Sequence, residues 1–420
     1  MIGREMIATR NAIEALRAGV PNRAAIRLLG TSEVVLSQDF LDRLQRCGTA
    51  LTSSEQVEGL GVAGAFGAGK SHLLGYFAEL AQRENFIVSL VPISKETPLF
   101  DPARLFTAAS RAAVVPGEND DAMTAVLRRL RPNTGRYDDL EYWATSEVQR
   151  GRLSPLFPAL LHVIPRLRDP DDHARIARFF GGARLNVSAV KGWLRDAGAA
   201  KLFDLKPVRE AELSLQRLRF APRLIRAAGF AGLCVLLDEV ELIGRYSPLQ
   251  RGRGYSELAR WLGLDQQENI PGMVSVSAIT DDFTDEMFIQ RRDDELIPSR
   301  LEQRGLLPQA ELAKKAISWL AQRQNRLIPP TEEGLRRSLD RIGSLYRDAY
   351  DWTPPEIGIG ERLAGKSMRQ YVKSWIATWD MERLYGEAPQ IETVTIPTDY
   401  SESSDIEQVP AAAEQDDSEA

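Results

Sequence analysis

A chain of 420 residues, 43% hydrophobic and 27% charged, has length for two or three domains and enough apolar material for buried cores. No run approaches the roughly 18 apolar residues of a membrane helix. Met1-Ile2-Gly3-Arg4-Glu5 also lacks a signal peptide's apolar stretch, so the expectation is a cytoplasmic protein with no membrane partner. The formal charge of −6 is uneven: residues 386–420 carry ten acidic side chains and no Lys or Arg, which leaves the rest of the chain at +4. A mildly basic body permits a nucleic-acid partner without requiring one. Cys47, Cys234, His72, His162 and His173 show neither disulfide nor metal-ligand spacing.

Residues 1–54 read as a helical lead-in, with helices over Arg10 to Ala18, from Ala24, and from Asp39 to Ala50. Residues 55–117 open a nucleotide-binding core. Leu60 to Ala63 reads as a strand, and the stretch Gly64-Ala65-Phe66-Gly67-Ala68-Gly69-Lys70-Ser71 fits G-x-x-x-x-G-K-[ST] in full, with His72 next. Glycines let backbone N–H groups approach phosphate oxygens, Lys70 brings a cation to the β and γ positions of ATP, and Ser71 offers a hydroxyl to Mg2+. Leu73, Leu74, Phe77, Leu80 and Ala81 repeat at helical spacing, so a helix N-terminus faces the anion. Phe86 to Ile93 reads as a second buried strand and Pro98 to Val115 as a helix.

Residues 118–227 read as a helical insertion, with patterns over Ala122–Leu130, Leu140–Arg150, Pro158–Leu167, His173–Phe180 and Ala189–Ala197. It is rich in arginine: Arg128, Arg129, Arg131, Arg166, Arg168, Arg217, Arg219, Arg223 and Arg226. Interspersed Asp and Glu favour solvated faces and internal ion pairs as their explanation. Residues 228–306 resume the core. Leu233-Cys234-Val235-Leu236-Leu237 is an apolar strand that delivers Asp238 and Glu239 to its C-terminal end, where open α/β sheets bind ligands. Asp238 is the candidate Mg2+ holder and Glu239 the candidate that polarises the attacking water.

Pro271 to Thr280 is a further strand. Its position resembles the one from which AAA+ ATPases orient the lytic water, which makes Thr280 a sensor candidate against a plain strand-end threonine. Ser299-Arg300 resembles the AAA+ position that lends an arginine finger to a neighbouring subunit, with an ordinary surface arginine as the alternative. A finger there implies a homo-oligomer. Residues 307–385 read as a helical lid, interrupted at Asp351-Trp352-Thr353-Pro354-Pro355 and restarted at Gly365. Arg369, opening the last helix, is either a second sensor over the nucleotide or an exposed helix arginine. Residues 386–420 read as a disordered acidic tail. The fold class expected is α/β, a P-loop NTPase of AAA+-like type with a parallel sheet, a large helical insertion and a C-terminal helical lid.

Three stretches together carry a narrower likeness: Ile13-Glu14-Ala15-Leu16-Arg17-Ala18-Gly19-Val20-Pro21-Asn22-Arg23, the loop Gly64 to Leu74, and Leu236-Leu237-Asp238-Glu239-Val240-Glu241. Over roughly residues 1 to 380 the chain resembles the ATP-binding proteins of BREX bacteriophage-defence systems, whose short form is similar in length. The resemblance implies an AAA+-like ATPase that works with DNA-directed partners such as a helicase, a methyltransferase or other defence-system proteins, and with double-stranded DNA. Lys70, Ser71, Asp238 and Glu239 carry over directly from the motifs. A second reading is a STAND-like or initiator-like switch, in which ATP binding recruits a protein partner with little turnover and no DNA contact. A kinase using the same loop fits the helical C-terminal region less well.

Overall fold

The computed structural model describes residues 2–19, 22–49, 55–118, 120–328, 330–358 and 367–386. The stretch read as a disordered tail lies outside them from residue 387 on, as does Gly365.

Six short strands form one sheet: β1 (Leu60–Ala63), β2 (Phe86–Pro92), β3 (Ala113–Val114), β4 (Gly232–Asp238), β5 (Met273–Ile279) and β6 (Gln324–Arg326). Their order is β3-β2-β4-β5-β1-β6. Every neighbouring pair is parallel except β2 and β3. The protein is thus a mixed α/β molecule with a mostly parallel sheet.

Strand period 2 explains why β4 and β5 are buried throughout. Cys234 and Leu236 point to one face with Val274, Val276 and Ala278, while Leu233, Val235 and Leu237 point to the other. The first face is covered by helices Val34–Thr49 and Lys70–Arg83, where the Phe40 and Phe77 rings stack at 4.3 Å. The second shares a larger core with helices Pro102–Ala112, Glu210–Ala227, Pro248–Trp261 and Leu307–Gln322. Between them in sequence, helices Ala122–Arg129, Gly135–Gln149, Leu156–Val163, Pro170–Phe180 and Val187–Asp196 extend that core around Phe157, Phe179, Phe180 and Phe220.

A third core joins the two ends of the described chain. Ala12, Ile13 and Leu16 of helix Ile2–Ala18 and Ala25 of helix Arg23–Leu29 pack with Leu335, Ile342 and Tyr346 of helix Glu332–Tyr350 and Trp375 and Trp379 of helix Met368–Tyr385. Arg17 Nε donates to Asp380 Oδ2 at 2.7 Å and Arg17 Nη2 to Tyr350 Oη at 3.1 Å. The module is fastened to the helix that follows the glycine loop. Arg23 and Arg27 meet the buried Glu79 carboxylate at 3.1 and 2.7 Å. Gly75 has no Cβ to obstruct the Ile26 side chain lying directly on it.

Two segments read as continuous helix contain strands. Within Pro98 to Val115 the helix ends at Ala112, and Ala113–Val114 pairs antiparallel with Val88 and Ser89. Within the lid segment, Gln324–Arg326 runs parallel to β1. Both are two- or three-residue edge strands with half-exposed or exposed side chains, so neither carries an apolar alternation.

Candidate active site

The glycine loop leaves β1 and enters helix Lys70–Arg83 within six residues. Gly67 (φ 78°) and Gly69 (φ 109°) hold left-handed backbone, which lets the chain reverse so tightly. A Cβ on Gly69 would meet nothing within 4 Å, so the loop is open on that side. The loop is anchored by Gly64 N–H donating to the Ile279 carbonyl at 3.2 Å and Ala68 N–H donating to Ala65 at 3.0 Å. Lys70 is buried, and its ammonium lies inside the loop, donating to the Gly64 carbonyl at 2.7 Å and to Ala65 at 3.3 Å. The first helical N–H groups, from Lys70 to His72, precede the first intrahelical bond, Leu73 N–H to Gly69 at 2.9 Å. His72 turns its ring toward the Gly30 carbonyl at 2.7 Å, and burial lowers its pKa, so the site draws on its backbone rather than its imidazole.

Because β5 lies between β1 and β4, three strand ends line up at one edge of the sheet. Buried Asp238 ends β4 and accepts the Glu239 N–H at 3.0 Å. Glu239 has left-handed backbone (φ 58°, ψ 34°), a costly geometry for a residue with a Cβ. Burial raises its carboxyl above the ordinary range, with the Asp238 charge adding to the shift and Lys70, Arg369 and Arg245 opposing it. Glu241 on the short helix Val240–Arg245 is 7% exposed, and its Oε2 has no hydrogen-bond partner. Burial pushes it up to about 7, against the pull of Lys70. Buried Thr280 follows β5 directly. Beside it a cavity of about 230 Å³ is lined by Ala63, Thr280, Asp281, Thr284, Gln324 and Arg326 among others.

The last helix reaches over the loop. Ser367 caps it together with Gln370, and Arg369 N–H donates to the Gly67 carbonyl at 3.3 Å. The Arg369 guanidinium lies 4.9 Å from the Phe66 ring centre, and its stem fills the space beside Gly19 and Gly67. Arg300 is exposed on helix Asp293–Gln303, and its side chain makes no hydrogen bond or ion pair among the described residues. The arrangement therefore brings Lys70, Asp238, Glu239, Thr280 and Arg369 to one edge and leaves Arg300 facing outward.

A family model described as BREX system ATP-binding protein BrxC/D matches residues 7–130 and 203–379, most of the chain. The chain belongs to the BrxC/D family. No curated protein and no solved structure matches it. The BrxC/D family is described as ATP-binding, and the glycine loop is the candidate place for that ATP. The residues suit it: a loop of accessible N–H groups and a buried lysine for phosphates, with the Ser71 hydroxyl and Asp238 carboxylate supplying the hard oxygen donors that Mg2+ prefers. Glu241 and Arg245 are additions to the site read from sequence, and Phe66, already in the loop, acquires a partner in Arg369. Glu241 had a signal in its spacing two residues beyond Glu239, whereas the meeting of Phe66 with Arg369 had none. No described helix of this BrxC/D chain is long and apolar enough to cross a membrane.

Proposed function

We propose that this BrxC/D protein is an AAA+-like P-loop ATPase that hydrolyses ATP to drive or switch a DNA-directed defence assembly. The observation that carries the reading is the convergence of Lys70, Asp238 and strained Glu239 at one sheet edge, with the lid's Arg369 above them. Mg2+, when bound, offsets phosphate charge. Lys70 and the N–H groups of Gly69 to His72 bind and orient the phosphates, and Ser71 and Asp238 hold the metal. Glu239 takes the proton of the attacking water, a task its raised pKa favours. Thr280 orients that water. Arg369 approaches the nucleotide from its own lid, and exposed Arg300 serves the neighbouring subunit of a homo-oligomer.

A partner-recruiting ATP switch is the second reading. It is favoured by the direct contact of lid and loop through Arg369 and Gly67, since any rearrangement of the loop moves the lid.

ATP hydrolysis by wild type, Lys70→Ala and Glu239→Gln, with and without double-stranded DNA and at two protein concentrations, separates the two. The ATPase reading expects Lys70→Ala to lose nucleotide binding. It expects Glu239→Gln to bind ATP with turnover reduced about 100-fold or more. Steep concentration dependence and stimulation by DNA would support the oligomeric, DNA-coupled form. Tight ATP binding with negligible turnover, indifferent to DNA, leaves the switch.

A further inference from the structure

Most of the arginines that make the helical insertion look basic are engaged internally. Arg128 pairs with Glu118 and Asp120, Arg129 with Glu118, Arg217 with Glu210 and Arg219 with Glu268. Arg223 lies 4.4 Å over the Trp143 ring. Two further cations of the insertion are not engaged in this way. Lys191 and Arg195 sit four residues apart on helix Val187–Asp196, exposed, and their side chains make no hydrogen bond or ion pair among the described residues. Helical spacing of four puts them on one face, with Cβ atoms roughly 6 Å apart.

That face forms one wall of a groove of about 210 Å³, whose remaining lining is Leu194, Ala200 and Phe203. The half-buried Phe203 ring is backed by His162 at 5.8 Å, so it presents a supported aromatic surface. Lys201, also exposed and unpaired, adjoins Ala200. The groove belongs almost wholly to residues 131–202, which the family model does not match. That segment holds twelve Lys and Arg against eight Asp and Glu, so its surplus of four equals that of the whole chain outside residues 386–420.

We infer that this groove binds a single strand of nucleic acid, with Lys191 and Arg195 on successive phosphates and a base against Phe203. Two point cations beside an apolar aromatic floor fit a chain that alternates charge with flat unpaired bases. A duplex keeps its bases stacked inside and offers nothing to Phe203. The inference deepens the nucleic-acid part of the proposed function and rests on that part, but not on hydrolysis.

The test is fluorescence anisotropy of the full chain with a labelled single strand of about 20 nucleotides, titrated across salt concentrations. The double variant Lys191→Glu/Arg195→Glu is expected to weaken binding about tenfold or more and to lower the salt slope by about 1.4, two phosphate contacts' worth. Phe203→Leu keeps the floor apolar and is expected to cost about fivefold or more, with little change in the salt slope. Both should keep wild-type urea midpoints and basal ATP turnover. The inference is overturned if wild type does not bind the strand, or if the double variant binds as wild type does. It also falls if a duplex of equal length binds more tightly, or if polyglutamate of matched charge displaces the strand as well as nucleic acid does. Strand binding without turnover would sink only the ATPase reading.

Discussion

Glu239 and Glu241 are held in unfavourable states by the same short stretch of chain, one by its backbone and the other by its surroundings. Glu241 gives the clearer pH signature. Burial pushes its carboxyl up to about 7 in the folded protein from the ordinary 4.5, so between those limits the folded state holds more protons and stability falls as pH rises. Glu241→Gln removes this dependence. The variant is expected to be more stable than wild type at pH 8 by on the order of 3 kcal/mol and to lose that advantage near pH 4, measured by urea unfolding across pH. At Phe66, the exposed ring under half-buried Arg369 makes a contact worth about 0.5–1 kcal/mol. Phe66→Ala should therefore raise the ATP KM roughly two- to five-fold with the thermal midpoint nearly unchanged. The positions of Lys70 and Ser71 at the start of a helix and of Asp238 and Glu239 at a strand's end were legible because each lies in a short motif whose spacing reflects local backbone geometry. The Phe66–Arg369 pairing was not, because the two lie in separate elements brought together only by the packing of the lid.

Among the elements, helix Asp293–Gln303, which carries Arg300, is held by the buried Ile297 and Leu301 and by one buried polar node at its start. Arg251 of helix Pro248–Trp261 grips Asp293 through two bonds of 3.0 Å, Tyr255 donates a third at 3.0 Å, and Arg251 also donates to the Tyr246 carbonyl at 2.9 Å. Asp293 is fully buried, so deleting its carboxylate strands a buried guanidinium. Asp293→Ala is expected to cost about 3–5 kcal/mol in urea unfolding. If Arg300 works in trans, turnover should fall further than nucleotide binding in the surviving folded protein. Unchanged turnover per folded molecule would separate this helix from the chemistry. Sequence periodicity located helices Lys70–Arg83, Ala122–Arg129, Pro170–Phe180 and Val187–Asp196 and the buried strands β1, β2, β4 and β5 to within a few residues, because burial on both faces leaves strand runs of apolar and small residues without a charge in their interior. It passed over β3 and β6, since a short edge strand is defined by its neighbour rather than by its own side chains.

For the whole molecule, the deciding feature is the core shared by the first helices and the last. Sequence reading treated the lead-in and the lid as separate stretches, since nothing local in Ala12, Ile13 or Leu16 names Trp375 or Trp379 as their cover. Arg17→Ala removes the Asp380 pair and the Tyr350 contact. Its expected cost is about 1–3 kcal/mol. Limited proteolysis should show cleavage in the lid before cleavage of the sheet. Equal protection of the two in this variant would show that the link matters little. The same arrangement orders events on the ribosome. Arg17 is made 363 residues before Asp380, and at about 5–20 residues per second the opening helices wait tens of seconds for their partners. A nascent chain can complete its glycine loop and acidic strand well before Trp375 and Trp379 can cover Ile13 and Leu16. A truncated product would thus carry an intact phosphate motif together with an uncovered greasy surface, a flag for chaperones and proteases.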